Sequence, residues 1–217
     1  MSREHAQYAE KVFSGRPARV LNLFYLLLKT VILTVMKLFI TRHGETDRNV
    51  QKRICGWTES ELTERGLSQA RALAERLAAD KEKNAIKHIY VSPLKRARDT
   101  AACIEKVLSI KADPDERIKE VFFGDFEGVH WVTDPAFREM LNNPFVTFPH
   151  GESLVQAAHR AYGLIEHVRK THVEDGNVLF VCHGMITVLM CTFFKDYSQT
   201  DLLNMRIENC QLLEFDL

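Results

Sequence analysis

A chain of 217 residues with 29 basic and 29 acidic side chains fits one domain, or one domain plus a small appendage, and can bury a core without covalent staples. A formal net charge of zero argues against broad electrostatic binding to nucleic acid or an anionic membrane, so positive potential must be local and suited to a small anion. Cys55, Cys103, Cys182, Cys191 and Cys210 are odd in number and lack Cys-x-x-Cys spacing, which excludes a disulfide framework or a cysteine zinc site and predicts reduced thiols in a cytoplasmic protein.

Residues 1–35 read as an N-terminal extension, and 36–217 as the domain that carries the chemistry. Val20 to Met36 are largely apolar, but Lys29 sits mid-run, where a charge is costly in lipid, and 17 residues is the lower limit for a span. Glu4 and Glu10, with no small-x-small cleavage site, fit a secretory signal poorly. Three readings stand: a dispensable extension upstream of an initiator at Met36, a helix packed on the domain or a partner, or membrane contact through residues 20–36. Lys29 and the lack of any linker before Lys37 count against the last.

From Met36 onward, strands and helices alternate. Lys37 to Thr41 is a short buried strand that Gly44 breaks. Thr63 caps a helix running to about Ala79, with Leu67, Ala70, Leu73, Ala74 and Leu77 on its apolar face. Ile86 to Val91 is a second strand, after which Ser92-Pro93 opens a helix with Ser as cap and Pro at its first position. Arg117 to Val121 predicts a short strand, and Trp131 to Pro149 a loop or lid with a short helix. Glu152 to about Lys170 has helical apolar spacing, Asn177 to Cys182 is a buried strand, Met185 to Phe194 a buried helix, and Cys210 to Phe215 a last strand. This order predicts an α/β fold, a three-layer α/β/α sandwich with a mostly parallel central sheet.

Two of these strands end in the same way. The first stops at Arg42-His43-Gly44, the other at Cys182-His183-Gly184, which places both histidines at the carboxyl edge of the sheet, where open α/β folds bind ligands. An arginine offers a fixed fork of donors for phosphate, and a histidine can form a covalent intermediate. The helix after His183 adds unpaired N–H groups and a favourable dipole for an anion. Arg96, in the first turn after the second strand, falls at the same edge. Cys182 precedes His183 and must point to the opposite face, so it belongs to the core rather than to the chemistry. His88, His150, His159, His167 and His172 read as surface or loop residues. No carboxylate or Cys/His cluster stands at ligand spacing around either motif, so neither a metal nor another cofactor is expected.

Taken in order, these motifs resemble the histidine phosphatase superfamily in its phosphoglycerate-mutase-like branch. The resemblance rests on Arg42-His43-Gly44-Glu45-Thr46 with Asn49, Leu62-Thr63 with Gly66 and Gln69-Ala70, and Ser92-x-Leu94-x-Arg96-Ala97 with Thr100-Ala101. Glu120 with Gly124-Asp125-Phe126-Glu127-Gly128, then Gly151-Glu152-Ser153 and His183-Gly184, complete it. It implies a phosphoglycerate-mutase-like fold and a metal-independent phosphomonoester hydrolase acting on a small phosphorylated metabolite through a phosphohistidine. By the same resemblance His43 is the nucleophile; Arg42, Arg96 and His183 hold the phosphate oxygens with Asn49 as a neutral donor; and Glu120 is the leaving-group acid.

Thr46 and Gly184 replace the Arg and Asp of the acid-phosphatase branch, which points to Glu120 as the acid. Val121-Phe122-Phe123 follows Glu120 where mutases carry basic residues, which favours a phosphatase over the alternative, a phosphoglycerate or sugar-phosphate mutase. The Glu-x-Phe-Phe-Gly-Asp-Phe-Glu stretch and compact size resemble the small broad-specificity phosphatases and the α-ribazole-phosphate phosphatases. A third reading, a phosphate-binding module without catalysis, conflicts with the retention of His43, Arg42, Arg96, Glu120 and His183 together.

Overall fold

Apolar runs of the sequence become a five-stranded sheet in the computed structural model, which describes residues 36–172 and 175–217. In chain order the elements are β1 (Lys37–Arg42), α1 (Asp47–Val50), α2 (Glu64–Ala79), α3 (Lys81–Asn84), β2 (Ile86–Val91), α4 (Lys95–Leu108), β3 (Ala112–Pro114), α5 (Pro135–Leu141), α6 (Leu154–Thr171), β4 (Asn177–Cys182), α7 (Gly184–Cys191), α8 (Gln199–Asn204) and β5 (Leu212–Asp216). Single 3₁₀ turns occupy Glu116–Ile118 and Gly124–Phe126. The strand order is β3-β2-β4-β1-β5, parallel except for β5, which runs antiparallel to β1. The extension, with its apolar run, lies outside the described residues; among those described, no helix is long and apolar enough to cross a membrane.

The continuous apolar runs of β1 and β4 reflect burial on both faces. Successive side chains alternate: Leu38, Ile40, Val178 and Phe180 join the core under α6 and α7, whereas Phe39, Leu179 and Val181 join the one under α2 and α4. On those helices, Leu73, Leu77, Ala101 and Ile104 meet one face of the sheet, and Ala161, Leu164, Ile165 and Ile186 the other. The result is the three-layer sandwich expected.

Local chemistry sets the boundaries. Thr63 caps α2 by accepting the Gly66 N–H at 3.0 Å. Ser153, not Glu152, caps α6: its hydroxyl accepts the Gln156 N–H, and the Gln156 side chain returns to the Ser153 N–H. Asp134 and Pro135 open the short helix inside the 131–149 loop.

Two expectations fail. Ser92 does not cap α4, which starts at Lys95, because the Ser92 hydroxyl is engaged by His183 across the sheet edge. The predicted strand at Arg117–Val121 is a 3₁₀ turn and an irregular stretch; the third strand is instead Ala112–Pro114. Asp115 accepts the Arg117 N–H and clamps its guanidinium, which turns the chain out of the sheet at that point.

Candidate active site

β1 and β4 pair directly and in parallel, with Arg42 opposite Cys182. The His43 N–H donates to the Cys182 carbonyl at 3.0 Å, extending the ladder by one step before both chains leave the sheet. The two histidines therefore meet at the carboxyl edge, ring centroids 5.2 Å apart. Gly44 and Gly66 allow the end of β1 to press on the start of α2: a Cβ at Gly44 would lie 2.4 Å from the Gly66 carbonyl oxygen, and one at Gly66 would lie 2.0 Å from the Glu45 carbonyl oxygen.

His43 is buried, 4 % exposed, and opens onto a cleft of about 250 Å³. Its Nδ1 lies 2.7 Å from the Gly44 carbonyl oxygen. A carbonyl only accepts, so Nδ1 carries the proton and Nε2 the lone pair. Burial, then the positive charges of Arg96 and Arg42, push the His43 pKa well below its ordinary value, against a smaller opposing effect of the Gly44 carbonyl. The ring is therefore neutral, with Nε2 available as a nucleophile.

Arg96 is the largest side chain buried in full, 1 % exposed. Its Nε–H donates to His183 Nδ1 at 3.1 Å, one terminal nitrogen to Thr58 O at 3.0 Å, and the other to Cys55 O at 3.2 Å and Gly56 O at 2.6 Å. Four of its five N–H groups are thus committed, and one is free for a ligand. The 55–58 loop that receives them is itself fixed by Glu127, whose carboxylate accepts the N–H groups of Gly56, Trp57 and Thr58. Glu127 therefore holds the loop that aims Arg96.

Arg42 donates to Ile207 O at 2.7 Å, while its buried Nε has no partner. Burial lowers its pKa from the ordinary value, with Glu120 and Glu208 pulling the other way. Asn49 lines the cleft; its carbonyl oxygen accepts the Thr46 N–H and the Asn209 amide, which turns its own amide group free as a donor.

His183 sits behind these groups, fully buried. Nδ1 accepts from Arg96, so Nε2 carries the proton and donates to Ser92 Oγ at 2.7 Å. Burial first, then Arg96, His43 and Arg42, lower its pKa well below the ordinary value. Both ring nitrogens are thus engaged within the protein in this arrangement.

Glu120 reaches the cleft from the irregular stretch after β3. Its Oε1 accepts the N–H groups of Val121 and Ile186, both at 2.9 Å, and its Oε2 accepts that of Met185 at 3.0 Å. The first turn of α7 thus fixes the carboxylate. Arg160 fixes the backbone beneath it, donating to the carbonyls of Arg117, Lys119 and Glu120 and to both Glu152 oxygens. Glu152 in turn accepts the Phe122 N–H.

Six residues singled out from sequence, Arg42, His43, Asn49, Arg96, Glu120 and His183, are brought to one edge, five of them on the cleft wall and His183 behind it. Cys182 is fully buried with its thiol pushed up to about 12, chiefly by desolvation, so it is inert core. Sequence reading missed Arg160, Asn209, and the pairing of Ser92 with His183. Arg160 stands eight residues after Glu152 on α6, a spacing without a local signature. Beyond these residues the cleft is walled by Ile54, Phe123, Trp131, Phe137, Met185 and Val188, with Arg53 and Arg206 among them.

The sequence profile of the histidine phosphatase superfamily (branch 1) matches residues 38–217. The chain belongs to that superfamily. It is 35% identical over 180 residues to the metal-independent phosphoserine phosphatase of Arabidopsis thaliana, covering 78% of this chain and 74% of that one. It is 29% identical over 188 residues to a Photorhabdus laumondii protein named "Probable phosphoglycerate mutase GpmB", covering 84% and 85%. Among solved structures, a mycobacterial glucosyl-3-phosphoglycerate phosphatase complexed with VO3 superposes with a TM-score of 0.72 at 28% identity, covering 82% of this chain and 92% of the other.

Proposed function

We propose that this histidine phosphatase hydrolyses a small phosphomonoester in two steps through a phosphohistidine at His43. The observation that carries this reading is the neutral His43, its Nδ1 proton held by Gly44 and its Nε2 left with the lone pair, on a cleft wall shared with the Arg42 and Arg96 side chains whose charges lower its pKa. In the first step Nε2 attacks phosphorus, the bond from phosphorus to the ester oxygen breaks, and Glu120 gives that oxygen a proton. In the second step Glu120 takes a proton from water, which attacks phosphorus and breaks the P–N bond, releasing phosphate and regenerating His43. Arg42, the free N–H of Arg96 and the amide of Asn49 meet the charge spread over the transferring group. His183 positions Arg96. The chain's own guanidinium groups supply the positive field for this chemistry.

Val121 is fully buried and Phe123 forms cleft wall, so the segment after Glu120 offers no cation for the second charged group that a mutase substrate carries. The preference for release of phosphate over its return to a second hydroxyl rests on that segment alone, since Arg53 and Arg206 also stand on the cleft wall. The five free thiols support a reducing, cytoplasmic setting. The test is phosphate release from a panel of phosphomonoesters with and without chelator. Net release unaffected by chelator is expected. Interconversion of phosphoglycerate isomers without free phosphate would replace this reading with the mutase one.

A further inference from the structure

Four buried polar atoms among the described residues lack a hydrogen-bond partner: Arg42 Nε, Asp47 Oδ1, His88 Nε2 and His172 Nδ1. Arg42 faces the phosphate-binding cleft. The two imidazole nitrogens have no part in that chemistry. His88 lies in the first half of β2, and His172 ends α6, just before Asp175 and β4. They cluster toward the amino ends of β2 and β4, the edge opposite the one carrying His43 and His183. His88 pairs across the sheet with Val178, near the start of β4, next to an irregular register step.

The two rings stack with centroids 3.8 Å apart. His172 Nδ1 lies 3.7 Å from Asp175 Oδ2, too far for a hydrogen bond. One ligand atom from each of His88, His172 and Asp175 lies within 4.8 Å of the others. Tyr90 Oη stands 2.9 Å from His172 Nε2. If Nε2–H donates to Tyr90, Nδ1 keeps its lone pair, and Tyr90 is the outer partner that metal-bound imidazoles ordinarily have.

We propose that His88, His172 and Asp175 form a binding site for a divalent cation of the zinc class, separate from the phosphatase centre. Two imidazoles and one carboxylate suit Zn²⁺, with water as a fourth ligand, and suit Ca²⁺ or Mg²⁺ poorly. Tetrahedral ligands at about 2.0–2.1 Å from an ion lie roughly 3.4 Å from one another, so on binding the cluster must draw in and the two rings must turn out of their stack for their in-plane lone pairs to converge. Asp175 has the freedom to do so, its side chain being 60% exposed. The ion ties the end of α6 and the start of β4 to β2.

The test is calorimetric titration of Zn²⁺ into the full-length chain after metal removal. We expect saturation near one ion per chain and a rise in the thermal midpoint on the order of 5 °C at a hundredfold excess over Kd. His88→Gln and Asp175→Asn should each weaken binding about tenfold or more; Asp175 is exposed enough for its variant to fold regardless. Co²⁺ in place of Zn²⁺ should give the visible bands of a four-coordinate ion, lost in both variants. Phosphate release by the variants should stay within about twofold of the parent, which separates this site from the catalytic one. No saturable Zn²⁺ binding, or binding at parental affinity in both variants, would overturn the assignment and leave the phosphatase reading untouched.

Discussion

Replacing Glu120 by Gln removes a proton donor while changing little else. Oε1 receives two backbone N–H groups and Oε2 one. A glutamine oxygen can keep the Val121 and Ile186 pair, but its amide would then face the Met185 N–H, donor against donor. Losing that charge-assisted bond costs about 1.5–3 kcal/mol of stability, well short of the roughly 5–15 kcal/mol that holds a domain folded. The chemical loss is larger and selective. A general acid contributes about 10²–10⁴ in rate, or ~2.7–5.4 kcal/mol, when the departing group is a basic alkoxide. A nitrophenolate leaves without that help. We therefore predict that kcat/KM for an alkyl phosphate falls about 10²–10⁴-fold, and for p-nitrophenyl phosphate less than about tenfold. The ratio kcat/KM is the right quantity because it reports steps through formation of the phosphoenzyme. The hydrolysis that follows is common to all substrates and also uses Glu120. Phosphate release and nitrophenolate absorbance give the two numbers, and equal losses on both substrates would refute the assignment.

Arg96→Lys keeps the charge but not the fork, leaving some of the acceptors at Cys55, Gly56, Thr58 and His183 unpaired in the interior. At ~1–3 kcal/mol for each unpaired group, stability in urea should drop by about 2–5 kcal/mol and kcat by about 10²–10³; a variant within twofold of the parent in both would contradict the geometry. The depressed pKa values of His43 and His183 fix a pH dependence. Between each folded value and the unfolded value near 6.5 the unfolded chain binds more protons, so the stability these groups contribute is present above about pH 6.5 and lost as pH falls, at up to ~1.4 kcal/mol per unit for each. Urea midpoints at pH 7.5 and 5.0 should show this loss. The acid limb of kcat/KM should lie below pH 6.5, whereas a limb at or above it would mean that His43 is not the depressed group.

Strands ending in His-Gly were legible because a run such as Val178-Leu179-Phe180-Val181 can only be buried on both faces, and glycine then stops it. Both histidines reach one edge because β1 and β4 are neighbours, a fact of topology to which their matching local patterns gave access. Ser92-Pro93 and Arg117–Val121 were misread for a common reason. Each has a plausible local pattern, cap or alternation, that a distant partner overrides: His183 takes the Ser92 hydroxyl, and Asp115 turns the chain at Arg117. His88 and His172 were read as surface or loop residues, since nothing local shows that β2 and the end of α6 stack one ring on the other. Arg160 was invisible because its five acceptors come from 117–120 and Glu152, and only folding brings them together.

The most direct test of the account is capture of the phosphoenzyme. Rapid mixing with a labelled phosphomonoester and quenching in alkali should leave label on the chain that is stable to base and labile to acid. It should map to His43, form at a rate sufficient for turnover, and be absent from His43→Ala. Label retained by His43→Ala, or a parent enzyme that turns over with no covalent phosphate at any time point, would contradict the phosphohistidine mechanism.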